Sequence, residues 1–318
     1  LPDLPDRIGP YHPLERIGAG GFGVVYLARA RGMILAVKVL ETRLNGTINN
    51  RELRLRMRRE VEITQRITSP HVARVVAFDL DCQPPYVVTR YVEGASLADE
   101  VEENGPLDGD RLGHLARGLA EALQEIHAAG CVHRDLKPAN VMLAEDDIPV
   151  VIDFGISHEI GATRITQAGA AGTNGYIAPE LIMDEPPAPP ADVFAWGATI
   201  VYACTGRRAF PGRTPDAVLN NVLSHDPDLG GVPEPLAGLL AQALAKSPAD
   251  RPTAHDLVQR LAALNRGRTR TQPDREDHPA PSTAPAHRLG RIALSILAWL
   301  AVGGVAGLLG AYVVIWLF

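Results

Sequence analysis

Apolar positions recur at two different periods along this chain, and the change from one to the other divides it. Near the beginning the runs are short and rich in β-branched and aliphatic residues, Val24 to Ala28 and Ile34 to Leu40, which reads as paired strands. From Arg51 to Ile67, apolar residues at Leu53, Leu55, Met57, Val61 and Ile63 stand among charges and predict a helix, while Val72 to Leu80 and Tyr86 to Val92 predict two more strands. Helical spacing then takes over. Leu112 to Ala128 and Ala191 to Thr205 are the strongest helices, with Pro186, Pro187, Pro189 and Pro190 marking a loop ahead of the second. The expected fold class is α+β: a small β-rich lobe over about 11–91 and a larger helical lobe over about 92–265, together one two-part domain, 11–265.

Beyond Asn265 the periodicity stops. Arg, Thr, Pro, Asp and His dominate 266–291, which reads as a flexible juxtamembrane linker with six Arg against three Asp or Glu. From Ile292 to Phe318 there is no charged residue, a run longer than a bilayer helix needs, so 292–318 is expected to be a single transmembrane helix. Arg288 and Arg291 precede it immediately, and positive charge marks the cytoplasmic side. The expectation is therefore a single-pass protein of the cell membrane with its folded domain in the cytoplasm. A buried core helix is the competing reading, disfavoured because such helices keep a polar face. Within the run, Gly303 with Gly307 and Ala306 with Gly310 have the small-residue spacing that lets two helices pack, which suggests a homodimer, although small residues are also common in membrane helices generally.

Composition narrows the classes. With 318 residues, 46% hydrophobic, and 31 Lys plus Arg against 37 Asp plus Glu, the chain can bury a sizeable core and is neither disordered nor collagen-like. A net charge of -6 argues against nucleic acid as a partner, and the five arginines between Arg51 and Glu60 read better as a solvated helix face. Cys82, Cys131 and Cys204 lie far apart without metal-ligand spacing, which excludes a disulfide framework and suits a reducing compartment.

Two features carry chemistry. The segment Ile17-Gly18-Ala19-Gly20-Gly21-Phe22-Gly23-Val24-Val25 places glycines where backbone N–H groups can approach phosphate oxygens closely, and it continues as strand rather than helix, unlike a dinucleotide fold. Lys38 follows in Leu35-Ala36-Val37-Lys38, a lone ammonium in an aliphatic strand that requires anionic partners. Further on come Cys131-Val132-His133-Arg134-Asp135-Leu136-Lys137-Pro138-Ala139-Asn140, then Val151-Ile152-Asp153-Phe154-Gly155, then Gly172-Thr173-Asn174-Gly175-Tyr176-Ile177-Ala178-Pro179-Glu180. In order and spacing this set resembles the protein kinase signature and covers nearly everything from Leu14 to Leu261. With its basic linker and single span, the chain is similar to the bacterial transmembrane Ser/Thr kinases of eukaryotic type.

The resemblance implies a bilobal protein kinase fold that uses ATP with Mg²⁺ (or Mn²⁺) and acts on protein substrates. It assigns Ile17, Gly18, Gly20 and Gly23 to the phosphate-covering loop, Lys38 to the α- and β-phosphates, and Glu60 to fixing Lys38. Asp135 receives or orients the proton of the substrate hydroxyl, Lys137 neutralises the γ-phosphoryl group, and Asn140 and Asp153 hold metal. Backbone groups of Arg90 and Val92 read the adenine edge, Val25, Ala36 and Leu143 sandwich the base, and Thr89 guards the deeper pocket. Lys137 and Thr173 match the Ser/Thr members rather than the tyrosine-directed ones. Asp192 and Arg251 match positions that brace the catalytic loop and pair with Glu180, and His133 is expected to be structural.

Arg134, with Arg58 or Arg59, could pair with a phosphate on Thr163 or Thr166, Thr166 being favoured, so that autophosphorylation orders that segment. These threonines could equally do no more than tie up turns. The alternative function is a catalytically silent pseudokinase acting as a membrane scaffold, against which stands the presence of every required residue. A small-molecule phosphotransferase of related fold is disfavoured by Ala178-Pro179-Glu180 and the long segment before it.

Overall fold

The computed structural model describes residues 4–20, 23–40, 51–154 and 174–270. Its first sheet contains β1 (His12–Gly20), β2 (Gly23–Ala30), β3 (Met33–Leu40), β4 (Val75–Asp79) and β5 (Tyr86–Arg90), in the order β1-β2-β3-β5-β4 with every pair antiparallel. The β2–β3 turn is tight because Arg31 and Gly32 both take positive φ, 49° and 77°, whose backbone twist matches that of the flanking strands. Strand side chains alternate between faces. On β3, Leu35 and Val37 therefore share one face, packed with Ala28, Tyr86 and Val88 and covered by Ile8 and Tyr11 from the N-terminal segment. Ala36 and Lys38 project from the opposite face, Ala36 across from Thr89 and Lys38 across from Val25 and Val87. An ammonium thus reaches the cleft as a consequence of period two.

Gly23 has a reason beyond phosphate approach. With φ of 139°, a Cβ there would stand 1.9 Å from the Val39 carbonyl oxygen, so the β2–β3 pairing itself demands glycine.

Between β3 and β4 lies α1 (Arg51–Thr64), which stops short of Ile67. Met57 and Val61, one turn apart, are its buried anchors, and Leu55 faces solvent. Strand β4 also begins later than expected, because residues 71–73 bond elsewhere: Ala73 N–H donates to Val151 O and Val151 N–H to His71 O, both at 2.9 Å. That exchange ties the connection after α1 to the second sheet, β6 (Ala95–Ser96), β7 (Val141–Leu143) and β8 (Pro149–Val151).

The larger lobe contains α2 (Leu97–Asn104), α3 (Gly109–Ala128), α4 (Pro179–Ile182), α5 (Pro189–Thr205), α6 (Pro215–Ser224), α7 (Glu234–Ala243) and α8 (Ala254–Arg270). Helix α5 has almost no polar face and runs through the core, with Phe194, Trp196 and Ile200 fully buried. Helix α3 packs against α5, α8 and β8, and Trp196 Nε1 donates to Ala116 O at 3.1 Å across the α3–α5 contact. One boundary differs from the sequence expectation. Helix α8 continues past 265 to Arg270, because the arginines there belong to its last turns rather than to a linker. Among the described residues no helix is long and apolar enough to cross a membrane, and the run expected to do so, 292–318, lies outside them.

Candidate active site

Three backbone constraints hold the segment from His133 to Asn140 in place. Asp192, buried at the start of α5, accepts from the His133 N–H at 2.7 Å and the Arg134 N–H at 2.9 Å, and it also meets His127 Nε2 at 2.9 Å. Asp192 thus makes the bracing contact expected of it, with His127 as a partner that the motif did not reveal. His133 Nε2 lies 3.1 Å from Ile152 O. Because a carbonyl only accepts, Nε2 carries the proton, and Nδ1 accepts from the Asp135 N–H at 3.4 Å. Full burial of the ring pushes its pKa down and favours this neutral form. Finally, the Ile152 N–H donates to Asn140 O at 2.9 Å, extending the β7–β8 pairing and placing Asn140 beside the residues that lead to Asp153.

On that frame the polar side chains form two groups. Asp135 is held by Lys137 Nζ at 3.0 and 2.8 Å from its two oxygens, and by Asn140 Nδ2 at 2.8 Å from Oδ2 and 2.7 Å from its backbone carbonyl. Asp153, at a left-handed φ of 59°, turns its Oδ1 to within 2.9 Å of Lys38 Nζ. Phe154, next in the chain, is buried against the His133 ring with centroids 5.1 Å apart. Lys38, Asp153, Asn140, Asp135 and Lys137 therefore form one connected set, joined through the Asn140–Ile152 backbone bond.

Glu60 is placed differently from the expectation that it would fix Lys38. Its Oε1 accepts from Arg134 Nη2 at 2.7 Å, whereas Lys38 pairs with Asp153. Arg134 has a positive φ of 70°, and both partners are half-buried. A guanidinium is more weakly hydrated than an ammonium and is the better match for such a carboxylate. Arg58, one candidate for pairing with a phosphate, is engaged by Asp81 at 2.5 Å and lies over the Phe78 ring. Arg59 is exposed. Thr163, Thr166 and Thr173 lie outside the described residues, as do Gly21 and Phe22 at the tip of the glycine loop.

Around the expected base site, Val25 and Ala36 are half-buried on the cleft face, Leu143 is buried on β7, and Ile17 and Gly18 lie on β1 with Gly20 at its end. The Arg90 N–H donates to Arg74 O at 2.9 Å, so any reading of an adenine edge by Arg90 falls to its carbonyl. A cavity of about 980 Å³ adjoins this connection, lined by Ile67 to Pro70, Arg90 to Gly94 and Leu143 to Glu145. Val72, Ala73, Arg74 and Val150 complete its lining, and none of Lys38, Asp135 or Asp153 lines it. Arg251, fully buried, grips Glu180 through both terminal nitrogens at 2.7 and 2.8 Å, as its motif implied, and also donates to the Ala245, Lys246 and Pro190 carbonyls.

Among the described residues no group of three or more His, Cys, Asp or Glu side chains could hold a metal. Asn140 and Asp153 offer two neighbouring oxygen-bearing side chains, which fits an ion such as Mg²⁺ that takes few protein ligands and completes its shell with phosphate oxygens and water.

Comparison with known proteins agrees with this geometry. The chain is 40% identical over 268 residues to the probable serine/threonine-protein kinase PkwA of Thermomonospora curvata, covering 84% of this chain and 36% of that protein. It is 42% identical over 261 residues to the serine/threonine-protein kinase AfsK of Streptomyces coelicolor, covering 81% and 32%. It thus spans about a third of the length of these curated relatives. A crystal structure of Rad53 1–466 in complex with AMP-PNP superposes with a TM-score of 0.65 at 25% identity, covering 79% of this chain and 64% of that one. Residues 11–261 match the protein kinase domain family. With its signature residues assembled on a two-lobed frame, the chain belongs to the protein kinase family, among the bacterial serine/threonine kinases.

Proposed function

We propose that the chain is a serine/threonine protein kinase that transfers the γ-phosphate of Mg-ATP to a protein hydroxyl. The observation that carries this reading is the Asp135 carboxylate, gripped by Lys137 and Asn140 on a loop that Asp192 holds by its backbone. A carboxylate fixed in this way can orient a substrate hydroxyl in line with the γ-phosphorus and accept its proton as the new O–P bond forms and the bond to the β-phosphate oxygen breaks, with ADP as the leaving group. Lys137, already in contact with Asp135, supplies positive charge where the transferring group becomes most anionic. Asn140 and Asp153 would hold the Mg²⁺, which would supply positive charge to offset that of the phosphates.

Productive binding calls for an exchange of partners. Lys38 leaves Asp153 for the phosphates, and Glu60 leaves Arg134 to support Lys38. A phosphate placed by autophosphorylation between Asp153 and Glu180 would favour the second step by offering Arg134 a more highly charged acceptor. The run 292–318 is proposed to anchor the kinase in the cell membrane with its catalytic lobes in the cytoplasm, and its small-residue spacing to support pairing of two copies.

The test is incubation of the purified chain with Mg²⁺ and γ-labelled ATP, alone and with a general Ser/Thr protein acceptor. Label is expected on Ser or Thr in the wild type and is expected to fall by at least about a thousandfold in Asp135→Asn. Equal labelling of the two proteins, or none in either, overturns the reading and leaves the silent scaffold.

A further inference from the structure

Beside the turn Asn174–Tyr176 lies positive charge that phosphoryl transfer does not use. The turn Asn174–Tyr176 is seated on α5 and α6, and the turn Pro138–Asn140, which carries the catalytic asparagine, rests on α5 as well. Where α5 ends, residues 206–214 carry three arginines, Arg207, Arg208 and Arg213, of which Arg208 reaches the turn. Arg207 is committed, with Nη1 bonded to Asp228 Oδ2 at 2.8 Å and Nη2 to Gly230 O at 2.6 Å. Arg208 and Arg213 make no ion pair or hydrogen bond with the described residues.

Arg208 is not an ordinary solvated cation. Its residue is half-buried, and its Cδ lies 3.6 Å from the point where a Cβ would stand on Gly175, so the stem of the side chain rests against the turn. Its charge acts on two phenols, lowering the pKa of both Tyr176 and Tyr202 against the larger raising effect of burial. Asp99 and Glu102 of α2 also act on Tyr202, but neither bonds Arg208; Asp99 is held by Ser96 at 2.7 Å. Among the described residues no carboxylate pairs with this guanidinium, so its charge remains open to an incoming anion. Two phenol groups beside it add O–H donors. Such a set is complementary to a carboxylate, and it lies next to the turn leading into Ala178-Pro179-Glu180.

We infer that Arg208, flanked by Tyr176 and Tyr202, is a specificity subsite that reads an acidic residue of the protein substrate near the phosphorylated Ser or Thr. Arg213, exposed on the same loop, extends the positive field without a seat of its own. This rests on the reading of Asp135 as the group that receives the acceptor hydroxyl, and it adds the chemical class of substrate: acidic Ser/Thr segments in preference to basic ones.

The experiment is a peptide array phosphorylated by the purified full chain, in which Asp, Lys or Ala occupies each position flanking a fixed Ser or Thr. Wild type is expected to favour Asp over Ala by about tenfold at one or two positions, and to disfavour Lys there. Arg208→Gln is expected to bring the Asp-to-Ala ratio close to one, Arg208→Glu to invert the preference toward Lys, and Arg208→Lys to restore part of it. Because each ratio is taken within one preparation, a partly folded variant still reports it. Transfer without an acidic preference in wild type, or a ratio unmoved by Arg208→Glu, overturns the subsite while leaving the kinase reading intact. Failure to label any peptide or the chain itself overturns the kinase reading and the subsite together.

Discussion

His133 shows how much one side chain carries between neighbouring parts of the site. Its Nε2–H bonds the carbonyl just before Asp153, and its Nδ1 receives the N–H of Asp135, so a single neutral tautomer links the two acidic residues. In the folded chain burial lowers its pKa from an ordinary 6.5. The unfolded chain therefore binds the extra proton first as pH falls. The stability contributed by neutral His133 is whole above about 6.5 and is lost below it, toward the depressed folded value. Denaturant titrations between pH 5 and 8 should show stability falling on the acid side, with the slope reduced in His133→Asn by up to about 1.4 kcal/mol per pH unit. Identical slopes would mean that another group carries the dependence. The motif indicated that His133 is structural, but its tautomer and its two partners follow from contacts with residues 135 and 152, which no local pattern encodes.

At the scale of elements, the central strands and the long helices α1, α3 and α5 follow from local pattern, and their limits from contacts between them. The apolar run Val72 to Leu80 reads as one strand, yet residues 71–73 pair with β8 and only Val75–Asp79 joins the first sheet, because strand partners are chosen by what lies alongside. Glycine has opposite consequences on two helices. In α3, a Cβ on Gly118 would meet Pro149 Cγ at 2.5 Å and His71 Cε1 at 2.9 Å, where β8 and the 71–73 connection press against the helix. In α7, a Cβ on Gly238 would meet nothing within 4 Å. Replacing glycine by alanine inside a helix gains up to about 1 kcal/mol from backbone entropy, whereas overpacking a contact between elements costs about 1–3 kcal/mol. Gly238→Ala should therefore stabilise the fold by a few tenths to about 1 kcal/mol, and Gly118→Ala should destabilise it by about 1–2 kcal/mol. Paired urea unfolding curves decide this, and a gain in both variants would show that the α3–β8 contact gives way freely.

For the molecule as a whole, the proposed anchor separates chemistry from location. Flotation of the full chain with lipid vesicles should retain it through alkaline carbonate washing, while a chain ending at Thr271, which keeps the compact unit Leu1–Thr271, should remain in the aqueous fraction and still transfer phosphate. A full chain that washes off would remove the membrane from the proposal without touching the active site. Two-lobed organisation was legible from strand and helix periods, which are local properties of the chain, and Lys38, Asp135, Asn140 and Asp153 were singled out by the resemblance of their motifs to the protein kinase signature. Which carboxylate each cation takes was not legible. Lys38 with Asp153, Arg134 with Glu60, and Arg208 with none among the described residues are outcomes of competition among charges that lie far apart in sequence and meet only when the lobes are folded. Such pairings depend on distance and desolvation, which three-dimensional packing sets and a one-dimensional pattern does not contain.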